Sequence, residues 1–195
     1  MAEQPQLVDP NNVLLTGENS FIRLSSDGTD VVDRVSHWRI LWSPAGPGHA
    51  LFIDTPLLGA GPRVYTDNAG VARYLQRTIE SLLHAPFADE ALPLHDAEFE
   101  RTGNSLSTVE ERIVGETDSI TMSYWDFLAP FVLTMPPGAM GRPLGVYSTF
   151  LPARSAQLSV NGEAATAKVA LLDRFGKPSS SCCLAWSESW TRPKA

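Results

Sequence analysis

Short segments in which apolar side chains recur at every second position dominate this chain, separated by turns built from Gly, Asn, Asp and Pro. Period-two alternation marks a strand with one face buried, and the intervening residues supply the backbone angles that reverse the chain. The clearest reversal is Asn161-Gly162, between Ala156–Val160 and Ala164–Leu172, because an Asn-Gly pair provides the positive φ angles of a type I′ hairpin. Asp27-Gly28 stands in the same way between Phe21–Leu24 and Val31–Val35. Gly103-Asn104 joins Ala97–Arg101 to Ser105–Val114 with the chemistry of a type II′ turn, and Gly115–Asp118 leads into Ser119–Trp125. With Ser36–Trp42, His49–Asp54, Phe131–Met135, Gly145–Leu151 and Cys182–Trp190, the chain offers about ten strands at the spacing of barrels and sandwiches. Turns this short connect antiparallel neighbours, so the second half is expected to be a meander.

One stretch keeps another period. In Asn68–His84 the residues Val71, Leu75, Thr78 and Leu82, with Ile79 beside them, form an apolar stripe with the spacing of a helix. Thr66 or Asp67 suits its N-cap, and Pro86 stops it. The expected fold is mainly β (α+β at the margin): an antiparallel barrel or sandwich with this helix packed on one mouth or flank. Strand count and hairpin order resemble calycin-like barrels, although Trp38 follows Ser36-His37 and so forms no lipocalin-type GxW. The 195 residues suit a single domain, with residues 1–12 as an irregular N-terminal segment.

Strand parity assigns faces. In Ser36–Trp42 the residues Trp38, Ile40 and Trp42 share one side, expected to face the core, while His37, Arg39 and Leu41 share the other. Closure into a barrel would place Trp38, Trp42, Tyr124, Tyr147 and Trp186 around an apolar cavity with Asp54, Arg154 or Glu188 as isolated polar groups inside it. The alternative is that the same aromatics fill a solid core. Met135–Pro143, reading MPPGAMGRP, is either a rim loop carrying Met135 and Met140 into a pocket or a plain connection.

Charge and composition narrow the partners. A net charge of −7, with no Lys/Arg cluster in any one segment, opposes binding to phosphate backbones, so no nucleic acid is expected. Met1–Pro10 is polar and acidic where a signal peptide is basic and then apolar, and no run is long enough to span a bilayer. A cytoplasmic location and no membrane partner are the expectations. Cys182 and Cys183 are adjacent and, in a strand, point to opposite faces, so they are expected as reduced core thiols. No CxxC, HExxH, Walker, Rossmann or GxSxG pattern occurs, and neither a metal nor any other cofactor is expected.

Acid/base groups remain. His37 and His49 sit on segments that adjacent pairing would bring together, and Asp126 lies among aromatic and apolar residues that would raise its pKa. These three are the catalytic candidates, against the plainer alternative that Asp126 caps its own turn. Glu110 and Glu111 point to opposite faces, so they do not form a dyad and at most one is buried. Three functions fit: a cofactor-independent lyase, hydratase, isomerase or cyclase acting on a small apolar or aromatic molecule; a carrier or sensor of such a molecule; or an assembly subunit, for which a homodimer is compatible.

Overall fold

A computed structural model describes residues 10–193; most of the expected segment 1–12 lies outside the described residues. The chain runs through β1 (Val13–Ser25), β2 (Val31–Trp42), β3 (Gly48–Asp54) and β4 (Arg63–Thr66), and then through helix α1 (Ala69–Leu75). The helix continues by a π turn at Gln76–Glu80 into a last turn at Ser81–Leu83. After it come β5 (Leu94–Gly103), β6 (Thr108–Gly115), β7 (Ser119–Phe127), β8 (Phe131–Met135) and the long β9 (Gly145–Val160). The short strands β10 (Glu163–Ala164), β11 (Lys168–Val169), β12 (Leu171–Arg174) and β13 (Lys177–Ser180) precede β14 (Cys182–Thr191).

Nine strands close into a barrel in the order β9, β14, β1, β2, β3, β4, β5, β6, β7, with β7 returning to β9. Of these pairings only β4–β5 is parallel, and the helix is its crossover. Strand β9 serves two neighbourhoods. Its first half pairs with β14 and β8, its second with β7, and the change falls at Pro152, which has no N–H to give a ladder.

Because the helix covers one flank, several strands are buried on both sides. Ile22, Leu24, Val35, Leu51, Ile113, Met122 and Leu184 belong to the barrel interior. Trp38, Ala50, Phe52 and Val64 lie on the outer wall, where Val71, Leu75 and Ile79 of the helix cover them. Asn68, not Thr66 or Asp67, caps this helix, its side chain accepting from Gly70 N and Val71 N. The π turn then adds one residue to the rung, which turns both Gln76 and Glu80 into the layer beneath.

The Asn161-Gly162 turn forms as expected, with both φ angles positive, but its return strand ends at Ala164 rather than continuing to Leu172. Gly103-Asn104 does not make a two-residue turn. Asn104 N instead donates to Thr108 O across a longer loop, so β6 starts later than Ser105. Cys182 and Cys183 are free, buried and on opposite faces, one in each core layer. Among the described residues, no helix is long and apolar enough to cross a membrane.

Candidate functional site

One end of the barrel interior is polar. The residues of β1, β2 and β3 that alternate inward run apolar at Ile22, Val35 and Leu51, then become Ser20 and Glu18, His37 and Arg39, and His49. Across the lumen β5 contributes Phe99 and Arg101, and β6 contributes Glu111, which pairs in register with Arg101. His37, Arg39, His49, Phe99, Glu100 and Arg101 line an open cleft of about 370 Å³.

Glu111 is the electrostatic centre of this end. Its side chain is fully buried, with Oε2 2.9 Å from His37 Nδ1 and Oε1 accepting from Ser20 Oγ at 2.8 Å and Arg101 Nε at 2.7 Å. Burial alone would push its pKa up. The His37 ring, the Arg101 guanidinium and the Ser20 hydroxyl more than offset this and hold it at about 2. An ionised carboxylate can only accept, so His37 carries its proton on Nδ1. Nε2 is buried and has no hydrogen-bond partner among the described residues. Arg101 also donates to Glu18 Oε2 at 2.5 Å, which neutralises the second acid of the group.

Phe99 connects the two histidines. Its ring lies 5.2 Å from that of His37 and 5.0 Å from that of His49, both within stacking geometry, and the two imidazoles are 5.8 Å apart. His49 Nδ1 is 2.7 Å from Asp67 Oδ2, while Asp67 Oδ1 accepts from the His49 backbone N–H at 2.6 Å. Each imidazole is thus oriented by its own carboxylate, and each presents a flat face beside an aromatic ring. Deeper in the lumen Tyr124 is fully buried with its hydroxyl unpartnered; burial first, and the Glu111 charge second, push its pKa well up.

The structure brings His37, His49 and the Tyr124 ring to the barrel interior, but it does not assemble the expected aromatic cavity. Trp38 is on the outer wall, its Nε1 donating to Glu80 Oε1. Trp42 is half exposed, Tyr147 is half-buried between β14 and β8, and Trp186 packs on the edge of the interior cluster with a buried, unpartnered Nε1. Asp54 sits at the end of β3 with its carboxylate 2.9 Å from His84 Nε2. Asp126, at positive φ near the end of β7, is exposed and 3.9 Å from Arg154, also exposed; neither lines the cleft. Trp38 and Ile40 share a side as expected, but that side faces the helix and the side carrying His37 faces the lumen; a register shift between Ile40 and Trp42 interrupts the alternation before Trp42.

Phe99, Arg101 and Ser20 are the members that pattern reasoning passed over, and Glu111 was weighed only as one of a pair of which at most one is buried. A signal for Glu111 existed: it shares a strand face with Val109 and Ile113, so an acid stands in an apolar stripe. Among the described residues no group of three or more His, Cys, Asp or Glu is arranged to hold a metal ion. No family model, curated protein or solved structure matches the chain.

Proposed function

We propose that the chain is an acid/base enzyme of isomerase or lyase type, working on a small planar aromatic molecule held at the polar mouth of the barrel without a resident cofactor. The observation that carries this is the Glu111–His37 pair: a buried carboxylate fixes one ring nitrogen as donor, and the other ring nitrogen is left without a partner. A group so arranged is a proton acceptor whose orientation is settled before substrate arrives. Glu111 positions His37 and stabilises the imidazolium formed on proton uptake, as a buried carboxylate behind a histidine does elsewhere. Phe99 and the His49 ring supply flat faces for an aromatic substrate, and the half-exposed Arg39 supplies a cation for a polar substituent.

A carrier role is the second reading, favoured by the depth of His37, which is only 4% exposed. Deuterium exchange separates the two. The full chain in D2O is mixed with a panel of enolisable aryl ketones and aryl-substituted acids, and both binding and loss of acidic C–H signals are followed by NMR. The enzyme reading expects accelerated exchange for a cleft binder, lost in His37→Gln while binding persists. Binding without exchange gives the carrier; exchange that survives His37→Gln overturns the assignment of the base.

A further inference from the structure

A second pocket lies outside the barrel, where β1, β9 and β14 form a floor that the helix end and β8 wall in. Its volume is about 130 Å³. Phe21, Phe150, Leu83, Leu133 and Met135 give it apolar walls, and Arg23, Arg142 and Arg174 converge on it from β1, from the loop after β8 and from the β12–β13 hairpin. Arg39, Arg63, Arg77, Arg101 and Arg154 each have a carboxylate within ion-pair distance. Among the described residues, none is that close to Arg23, Arg142 or Arg174.

Two of the three stand over aromatic rings instead. Arg23 lies 5.1 Å over the Phe21 ring and Arg174 5.4 Å over that of Phe150, and Arg174 Nε is buried with no hydrogen-bond partner among the described residues. Burial pushes the Arg23 guanidinium down to about 10; the positive charges of Arg34, Arg174 and Arg142 add to the push, and the Glu80 carboxylate opposes it. Glu80 accepts from Ser36 and Trp38 and makes no ion pair with Arg23. Partly buried cations with no carboxylate at ion-pair distance are costly, and this chain, at a net charge of −7, has acids to spare elsewhere. Glu188 at the floor does not fill the role. Its Oε1 accepts from Trp190 Nε1 at 2.5 Å, and burial raises its pKa to about 7, so it is largely uncharged on the acid side of neutrality.

We propose that this pocket binds a small organic anion, a carboxylate on an apolar body, with Arg23, Arg142 and Arg174 taking the charge and Phe21, Phe150 and Leu133 taking the body. A planar guanidinium matches a carboxylate in two-pronged geometry, and the apolar walls beside it receive the rest of the molecule. The site is separate from the His37 cleft and stands whether or not the chain is an enzyme.

The test titrates the full chain with sodium octanoate, with 1-octanol and with inorganic phosphate, following the Trp190 indole N–H in 1H–15N NMR spectra. Octanoate is expected to shift that resonance saturably, with octanol and phosphate each binding about tenfold more weakly or worse. In Arg142→Gln and Arg174→Gln, shown folded by circular dichroism, octanoate affinity should fall about tenfold in at least one, and in His37→Gln it should not change. Unsaturable shifts, octanol binding as tightly as octanoate, or full affinity in both arginine variants would overturn the anion site. Phosphate binding as tightly as octanoate would overturn the role of the apolar walls.

Discussion

Trp38 and Trp42 belong to one strand but lie in different surroundings. Trp38 is fully enclosed beneath the helix and donates to the buried Glu80 carboxylate, whereas Trp42 is 51% exposed near the strand's end. Trp38→Ala is therefore expected to cost about 3–5 kcal/mol in urea unfolding, the range for removing a buried large aromatic, and Trp42→Ala less than about 0.5 kcal/mol. The alternation of β2 made the contrast between neighbouring positions legible, but not which layer each side meets. A strand buried on both faces offers no polar side to orient it, so the more apolar face drew the core assignment and His37 was set apart from it. Glu111 illustrates the same limit. That only one of Glu110 and Glu111 could be buried followed from parity; that the buried one meets a histidine from β2 depends on barrel closure, which no local pattern encodes.

At the level of single elements, the turns were read best, because their chemistry is local. Asn161 and Gly162 adopt the positive φ angles their side chains permit, wherever the strands beyond them go. Strand β4 escaped notice because its four residues follow a Pro-Gly segment and are too few to show a period. Bulges also leave no sequence period. At Gly17 the register of β1 shifts against both neighbours, and a Cβ placed there would lie 2.3 Å from the Arg39 carbonyl oxygen. Gly17→Ala should cost about 1–3 kcal/mol, because the two backbones must separate to admit the methyl group. Chemical denaturation measures it, and a loss below about 0.5 kcal/mol would show that β1 moves aside without penalty.

For the whole molecule, buried acids set the response to pH. Glu188 has its pKa raised from 4.5 to about 7 by burial, and Glu80 is raised by the same cause. Between those values the folded chain keeps a proton that the unfolded chain has released, so stability declines as pH rises through the interval, by about 3 kcal/mol for Glu188. Glu111 works in the opposite direction: held at about 2, it contributes stability above pH 4.5 that is lost as pH falls towards 2. On these groups the fold is most stable in mildly acidic solution. Glu188→Gln should flatten the decline towards neutrality and be more stable than the parent at pH 8, as denaturant midpoints at pH 5 and pH 8 will show. An unchanged slope would mean that Glu188 ionises freely in the folded chain.

The pairing that completes the ring sets Val13 opposite Thr191, one near each end of the described chain. During synthesis the early strands therefore emerge with β1 as an open border, its hydrogen-bonding groups unanswered until β14 leaves the ribosome. Assembly has to wait for that strand, so folding should be slow for a chain of this size, and molecules truncated before β14 should be prone to associate through the vacant slot between β1 and β9.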